Sequence, residues 1–437
     1  MKKHIIKSLF VTALASLTVS SCSQPEYLNP SSASETQVVN SVDGLLALCN
    51  GLAYRYSVGR QSPVYASITG SGLTNKSLKV LNAGNTDEDA LEKGAGSVDQ
   101  SNAVVSNLWS YSNLVKSNAD MILRNASIST DPNMKASIVA YASIFRALAL
   151  GNLAQFWQQA PIVVADKASF NNREDVLKQA ISSLETAQAG MQSVTIPGKF
   201  STKVIGGIDM VNTINALIAR YSLMLGDNDK ALAAASKVDL SKRSEFRYGD
   251  TADNRNPIFE TALGNVNVYQ PLDLNMGLPA ALKPATEDKR IDFYFLSRTP
   301  SQNTYRGKGF FTAYSSPIPV YLPGEVSLIK AEAYARKDDL NNAVNELNNV
   351  LTKKTDVWGI GADLPAYSGD KTKDQILVEI YRNRRIELFM SGLELEDSRR
   401  FGRPAAGTAN AERTRNWYPF PRNERENNPN TPADPSI

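Results

Sequence analysis

Apolar positions fall at helical spacing through most of the chain. Over 42–54, Val42, Leu45, Leu46, Leu48 and Leu52 recur at three- and four-residue steps, which predicts an amphipathic helix. Two long helices are predicted over 102–125 and 134–156, and Asp131-Pro132 marks the start of the second. Another spans 174–191, with Val176, Leu177, Ala180, Ile181, Leu184 and Ala187 on one face. Two stretches break the period. Residues 57–99 are rich in Gly, Ser, Asn and Thr and hold no long periodic run. Residues 248–323 are dense in proline from Pro257 to Pro323, which removes backbone donors and predicts loops with short strands. The tail after Trp417 reads as extended for the same reason.

Two later segments share a spacing. Ala219 is followed by Ala231, Ala235 and Val238, and Ala331 by Ala343, Leu347 and Val350, with Gly226-Asp227 and Lys337-Asp338-Asp339 as the polar turns. Small residues let paired helices approach closely and larger ones fill the groove to the next pair, as in tetratricopeptide (TPR) hairpins. The expected fold is mainly α, with TPR-like, right-handed superhelical hairpins packed against a loop-rich half that carries a few short strands. The expected division is 1–21 signal, 22–40 tether, 41–247 helical region, 248–323 loop-rich excursion and 324–437 C-terminal helical region and tail, one structural unit from 41 onward.

The first residues change the picture of where the chain resides. Lys2, Lys3 and Lys7 precede an apolar run from Leu9 to Val19, too short for a hydrocarbon core of about 30 Å and fitting for a secretory signal. Val19-Ser20-Ser21-Cys22 resembles a lipobox, so Cys22 is the expected lipid attachment site, and several acyl chains give stable anchoring. The chain carries 47 Lys+Arg and 44 Asp+Glu. Loss of the three signal lysines levels the two, so no basic footprint for nucleic acid remains. The one histidine, His4, leaves with the signal, and Cys49 is the one cysteine beyond the anchor. That removes Ser-His-Asp and Cys-His catalysis, thiolate zinc sites and disulfide frameworks, and no metal or cofactor is expected. Cys49 reads as a small hydrophobe in its helix.

Five segments in order resemble the SusD/RagB family: SVDGLLALCNGLAYRY (41–56), LWSYSNLVKSNADMIL with YASIFRALALGNLAQFWQQAPIV (108–163), VYLPGEVSLIKAEAYARKDDLNNAVNELNNVL (320–351), ILVEIYRNRRIELFMSGLELEDSRRFGR (376–403) and NWYPFPRNERENNPN (416–430). Arg385, Glu387, Leu388, Gly392, Asp397, Arg400 and Gly402 match the family's arginine-rich helix. Asn383, Ser391 and Glu394 depart from it, which is expected to alter an ion-pair network and not a ligand site. The resemblance implies a non-catalytic outer-membrane lipoprotein that holds a nutrient, most often a glycan, over a SusC-like TonB-dependent transporter. Surface export in such lipoproteins commonly follows several acids after the cysteine, and here Glu26 stands alone. A peptide-binding member of the family and a TPR-type outer-membrane scaffold for protein segments are the alternatives. The proline-rich excursion speaks against the scaffold.

The chemistry of sugar recognition asks for flat aromatic faces in loops, flanked by amides and carboxylates. The candidates are Tyr65 and Asn82 in one loop region and Tyr269, Tyr305, Phe310, Phe311 and Tyr314 in the other, with Tyr269, Tyr305 and Tyr314 the leading aromatics. The two regions, 55–100 and 248–323, are expected to meet at one surface. Trp109, Tyr141, Phe145, Phe156 and Trp157 fall at core spacing. The acidic clusters Asp87-Glu88-Asp89, Asp338-Asp339 and Glu394/Glu396/Asp397 read as caps and ion pairs more readily than as a glycosidase pair.

Overall fold

The computed structural model describes residues 38–436 except 302. The expected signal and Cys22 lie outside the described residues.

Helix α1 (Val42–Ser57) begins where the Ser41 hydroxyl accepts the Gly44 N–H at 3.0 Å, and it buries Leu45, Leu46, Cys49 and Leu52. Helices α2 (Pro63–Thr74) and α3 (Thr86–Lys93) follow, then the long α4 (Ala103–Asn125) and α5 (Pro132–Phe156). Asp131 caps α5 and Pro132 opens it, as the sequence predicts. Next come α6 (Arg173–Gly190), the short α7 (Gly198–Lys203), α8 (Met210–Leu225) and α9 (Asn228–Ala235). Among its described residues the excursion holds a π-helical turn (Phe259–Leu263), a 3-10 turn (Ala280–Leu282) and the short α-helix α10 (Lys289–Tyr294). The chain returns to helices in α11 (Pro323–Arg336), α12 (Leu340–Leu351), α13 (Lys373–Glu387) and α14 (Glu394–Arg400), and α15 (Arg422–Asn427) lies in the tail.

Helices α4, α5, α6, α8, α9, α11, α12 and α13 form one continuous array, each packed on the next, and α1 and α2 cover α4. The α8–α9 and α11–α12 hairpins use the same turn 112 residues apart. Gly226 and Asp338 each take a left-handed backbone conformation, φ 85° and 62°. The next residues, Asp227 and Asp339, cap the second helices through the N–H groups of Lys230 and Asn342. Ala219, Ala231, Ala331 and Ala343 are fully buried at the helix contacts.

Among the described residues three two-stranded antiparallel ribbons fasten the loops: β1 (Leu78–Val80) with β5 (Tyr269–Pro271), β2 (Gln159–Pro161) with β3 (Phe170–Asn172), and β4 (Glu245–Phe246) with β6 (Ile318–Pro319). The first and third join the helical half to the excursion.

Two loop expectations are corrected. Residues 57–99 contain α2 and α3. Helix α2 is buried on every side, so it has no polar stripe and shows no period, although Ser62 caps it and Pro63 opens it. Its glycines permit close approach: a Cβ on Gly70 would lie 2.8 Å from the Tyr418 hydroxyl, and one on Gly72 2.5 Å from Leu78 Cδ1. The tail is likewise not wholly extended, since α15 begins directly after Pro421. Helix α5 has the length and apolarity of a membrane span, but it is the central core helix, with nearly every residue from Ser137 onward buried.

Candidate functional site

The predicted aromatic platforms separate into anchors and surface groups. Tyr65 is fully buried, and its hydroxyl donates to Glu88 Oε1 at 3.0 Å, the oxygen that also accepts Arg60 Nη2 at 2.7 Å. Tyr269 is fully buried too, its hydroxyl 2.9 Å from Thr69 Oγ1 and its ring 6.5 Å from that of Tyr65. Phe311 is buried in the wall of an interior cavity of about 70 Å³. These three pack the excursion onto α2, and their faces are closed to a ligand. The expectation of exposed platforms is corrected there, because an aromatic near a strand pairing serves best as the bolt between two layers.

Phe310 is half-buried between Phe293, at 5.3 Å, and Trp358, at 5.5 Å. Tyr305 is half-buried against Phe295 at 6.1 Å. Tyr314 is exposed; Phe259 meets it edge-on at 5.2 Å and the Arg255 guanidinium lies over its ring at 4.1 Å. Asn82 is exposed and donates to Asn267 Oδ1 at 3.2 Å, while Asn85 donates to the Asn267 carbonyl at 3.3 Å.

The two loop regions do come together. Val80 pairs with Tyr269 across β1·β5, and on the other edge of β5 the Pro271 carbonyl accepts the Tyr305 N–H at 3.0 Å. Gly307 donates to Gln270 Oε1 at 3.0 Å, and Leu296 N–H donates to the Arg306 carbonyl at 2.9 Å. Segments 305–307 and 295–296 are thus tied by hydrogen bonds to the two-stranded β1·β5 ribbon. The amides of Asn82, Asn85 and Asn267 stand at one end of it, and Leu296 projects from the far edge.

Sequence reasoning overlooked a second concavity. The end of α1, segment 205–208, β4 and the 253–254 turn enclose a cleft of about 200 Å³. Tyr54 at its lip is 46% exposed. It lies outside the apolar stripe of α1, and an aromatic out of phase with its helix is the sequence signal that could have marked it.

The charged clusters are structural. Arg384 Nε donates to Asp397 at 2.9 Å, and Arg400 grips Glu332 through Nε at 2.8 Å and Nη2 at 2.9 Å. Glu396 takes Arg173 at 2.7 Å and Arg399 at 2.9 Å. Two of the departures from the resembled pattern make buried polar contacts beside this network: Asn383 accepts from the fully buried Arg290 at 2.8 Å, and Glu394 accepts the Ser77 hydroxyl at 2.7 Å. Burial outweighs the attraction of Arg385 and the hydrogen bonds at Glu394, so its carboxyl sits above the usual range. Ser391 is exposed. Of the remaining acids, Asp87 accepts the Ala103 N–H, Asp89 pairs with Lys93, and Asp338 pairs with Lys373. Burial pushes the Cys49 thiol up to about 12, so it is inert at neutral pH. Among the described residues no group of His, Cys, Asp or Glu is placed to hold a metal ion.

No family model matches the sequence, and no curated protein matches it. Solved structures do. A SusD superfamily protein from Bacteroides vulgatus is 16% identical, with 90% of this chain and 99% of that chain covered and a TM-score of 0.70. A SusD-like carbohydrate binding protein from Bacteroides fragilis is 15% identical, covering 90% and 99% at a TM-score of 0.65. NanU of Bacteroides fragilis is 14% identical, covering 93% and 99% at 0.67. Likeness over whole chains at such low identity speaks for architecture, and in architecture this chain has the fold of the SusD superfamily.

Proposed function

We propose that this protein is an outer-membrane lipoprotein of the SusD type, anchored through Cys22, that captures a glycan and passes it to a SusC-like TonB-dependent transporter without altering it. The observation that carries this reading is the ribbon that joins 55–100 to 248–323. It fixes loop-borne amides and tyrosine side chains on a rigid helical body, the arrangement that lets a binding surface vary without loss of stability. The carbohydrate-binding description of one solved neighbour supports the same reading. Binding without chemistry is supported by the acids: the clustered carboxylates are spent on caps and arginines, whereas hydrolysis needs two free ones flanking a sugar.

The test is a calorimetric screen of the protein against oligosaccharides and peptides. A glycan ligand is expected, and its affinity should fall on Asn82→Ala or Tyr314→Ala at unchanged melting temperature. Peptide binding with no glycan binding would move the protein to the peptide-binding alternative.

A further inference from the structure

One end of the helical body carries exposed aliphatic side chains, and the directions of the helices locate it. Arg146 on α5 donates to Asp120 on α4 and to Ser183 on α6, and Arg173 at the start of α6 donates to the Ala154 carbonyl near the end of α5. Gln188 near the end of α6 donates to Asn215 near the start of α8, and the Asp239 N–H beyond α9 donates to Asn212. Neighbours in this run are antiparallel, so the α4–α5 turn, the end of α6, the start of α8 and the end of α9 share one end of the body. The start of α1 lies toward the same end. Tyr56 at the close of α1 accepts from Asn152, whereas α7, tied to the first turn of α1 by the Asp43–Lys199 pair at 3.1 Å, meets Tyr141 through Phe200 at 6.0 Å. Ile196, Val211 and Leu240 are exposed here, each between 39% and 49%, and Met191, Val211 and Lys237 border one shallow groove.

The chain enters the described residues at this end. The Val38 carbonyl packs on the first turn of α1 against Gly44, where a Cβ would collide with it. Fifteen residues, 23–37, lie between it and Cys22. The sixteen links from Cys22 to Val38 reach at most about 55 Å. The far end of α5, a helix of 25 residues, lies about 37 Å beyond. Acyl chains on Cys22 thus hold this end of the body nearest the bilayer. The charges suit a lipid surface. Asp43 is engaged by Lys199, Asp209 by the Asn212 N–H and Asp239 by the Ser241 N–H and hydroxyl. Lys237 and Lys242 are exposed and form no ion pair among the described residues.

We propose that this end of the body rests on the lipid surface of the membrane that anchors it. Ile196, Val211 and Leu240 enter the boundary between head groups and acyl chains, and Lys237 and Lys242 extend their ammonium groups to the head-group phosphates. Three half-exposed aliphatic side chains bury less than one acyl chain does, and one acyl chain alone binds only marginally. The contact therefore orients the body on its anchor and does not hold it there without one. The turn between β2 and β3, with Val163 and Val164 exposed, follows the end of α5 and points away from the bilayer. The inference rests on the reading of the protein as a lipoprotein anchored through Cys22, and it adds the face and the orientation.

The experiment places the full-length acylated protein in vesicles of phosphatidylethanolamine and phosphatidylglycerol. An environment-sensitive fluorophore is carried on Val211→Cys and, at the opposite end, on Val163→Cys; Cys49 is buried and inert, so the introduced thiol takes the label. Brominated acyl chains should quench the label at 211 and leave the label at 163 at its full emission. Ile196→Asp with Leu240→Asp, both at exposed positions, should abolish the quenching at an unchanged melting temperature while the protein still sediments with the vesicles. Equal quenching at the two positions, or none at 211, overturns the proposal. So does an emission shift at 211 that grows with protein density without quenching, which would mark a second copy on this face. Protein that fails to sediment with the vesicles at all overturns the anchoring by Cys22 and this inference with it, whereas glycan capture is decided separately by the calorimetric screen.

Discussion

Replacing Glu332 with Gln should destabilise the protein by about 3 kcal/mol at pH 7, and the loss should shrink in acid. Glu332 is fully buried on α11. Arg400 holds it through two hydrogen bonds of 2.8 and 2.9 Å, and Arg336 through one of 2.8 Å. Burial raises its pKa, but the Arg400 charge and hydrogen bonds, with Arg384 and Arg336 behind them, outweigh that and bring it to about 2 from the ordinary 4.5. The gap corresponds to about 3 kcal/mol of folding free energy. Breaking a buried ion pair from one side independently costs about 3–5 kcal/mol, so the two routes agree. The folded value lies below the unfolded one, so this stabilisation is complete above about pH 5 and is lost as pH falls through about 2. Roughly half of it remains at pH 3. Urea denaturation of wild type and Glu332→Gln at pH 7, 5, 4 and 3 measures the difference directly. A variant within about 0.5 kcal/mol of wild type at pH 7, or a deficit that does not narrow with acid, refutes the assignment of Glu332 as an ionised, arginine-held carboxylate.

Other outcomes follow from the same structure. Ala343→Leu should overpack the seam where Ala343, Leu347, Leu328 and Ile380 cluster and cost about 1–3 kcal/mol by chemical denaturation; wild-type stability would deny the close approach of α11 and α12. Tyr269→Ala should cost about 3–5 kcal/mol, since the buried ring and its bond to Thr69 bolt the excursion to α2, whereas Tyr314→Ala should stay within about 0.5 kcal/mol of wild type. Burial brings the Lys116 ammonium down to about 8 against the pull of Asp120. Because this folded value lies below the ordinary 10.5, stability from this group should rise between pH 8 and 10.5, and Lys116→Met should remove that rise in a denaturation series. Cys22→Ala should move the protein from the membrane fraction to the soluble one.

The helices were legible wherever one face meets solvent. Helix α6 buries the six apolar residues its period picks out, and the offset between Ala219 and Ala331 carries through to the turn geometry of Gly226 and Asp338. Helix α2 was hidden because burial on all sides erases the period, leaving Ser62-Pro63 as its one mark. The candidate site was half legible. That 55–100 and 248–323 meet could be inferred from their composition, but which tyrosines face outward depends on pairings between residues about 190 positions apart, such as Val80 with Tyr269. Tyr65 and Tyr269 look in sequence like Tyr305 and Tyr314. What separates them is Glu88 and Thr69, which supply buried partners for their hydroxyls. The Tyr54 cleft is assembled from five separate segments, and only the phase of Tyr54 on α1 betrays it.

Capture of a glycan without chemistry is tested most directly by equilibrium dialysis of the protein against a pool of labelled oligosaccharides, with the bound fraction released and sized by chromatography. Saturable retention of one oligosaccharide class, recovered at its original length after prolonged incubation, is the predicted result. Shortened products, or no retention of any oligosaccharide, would contradict it.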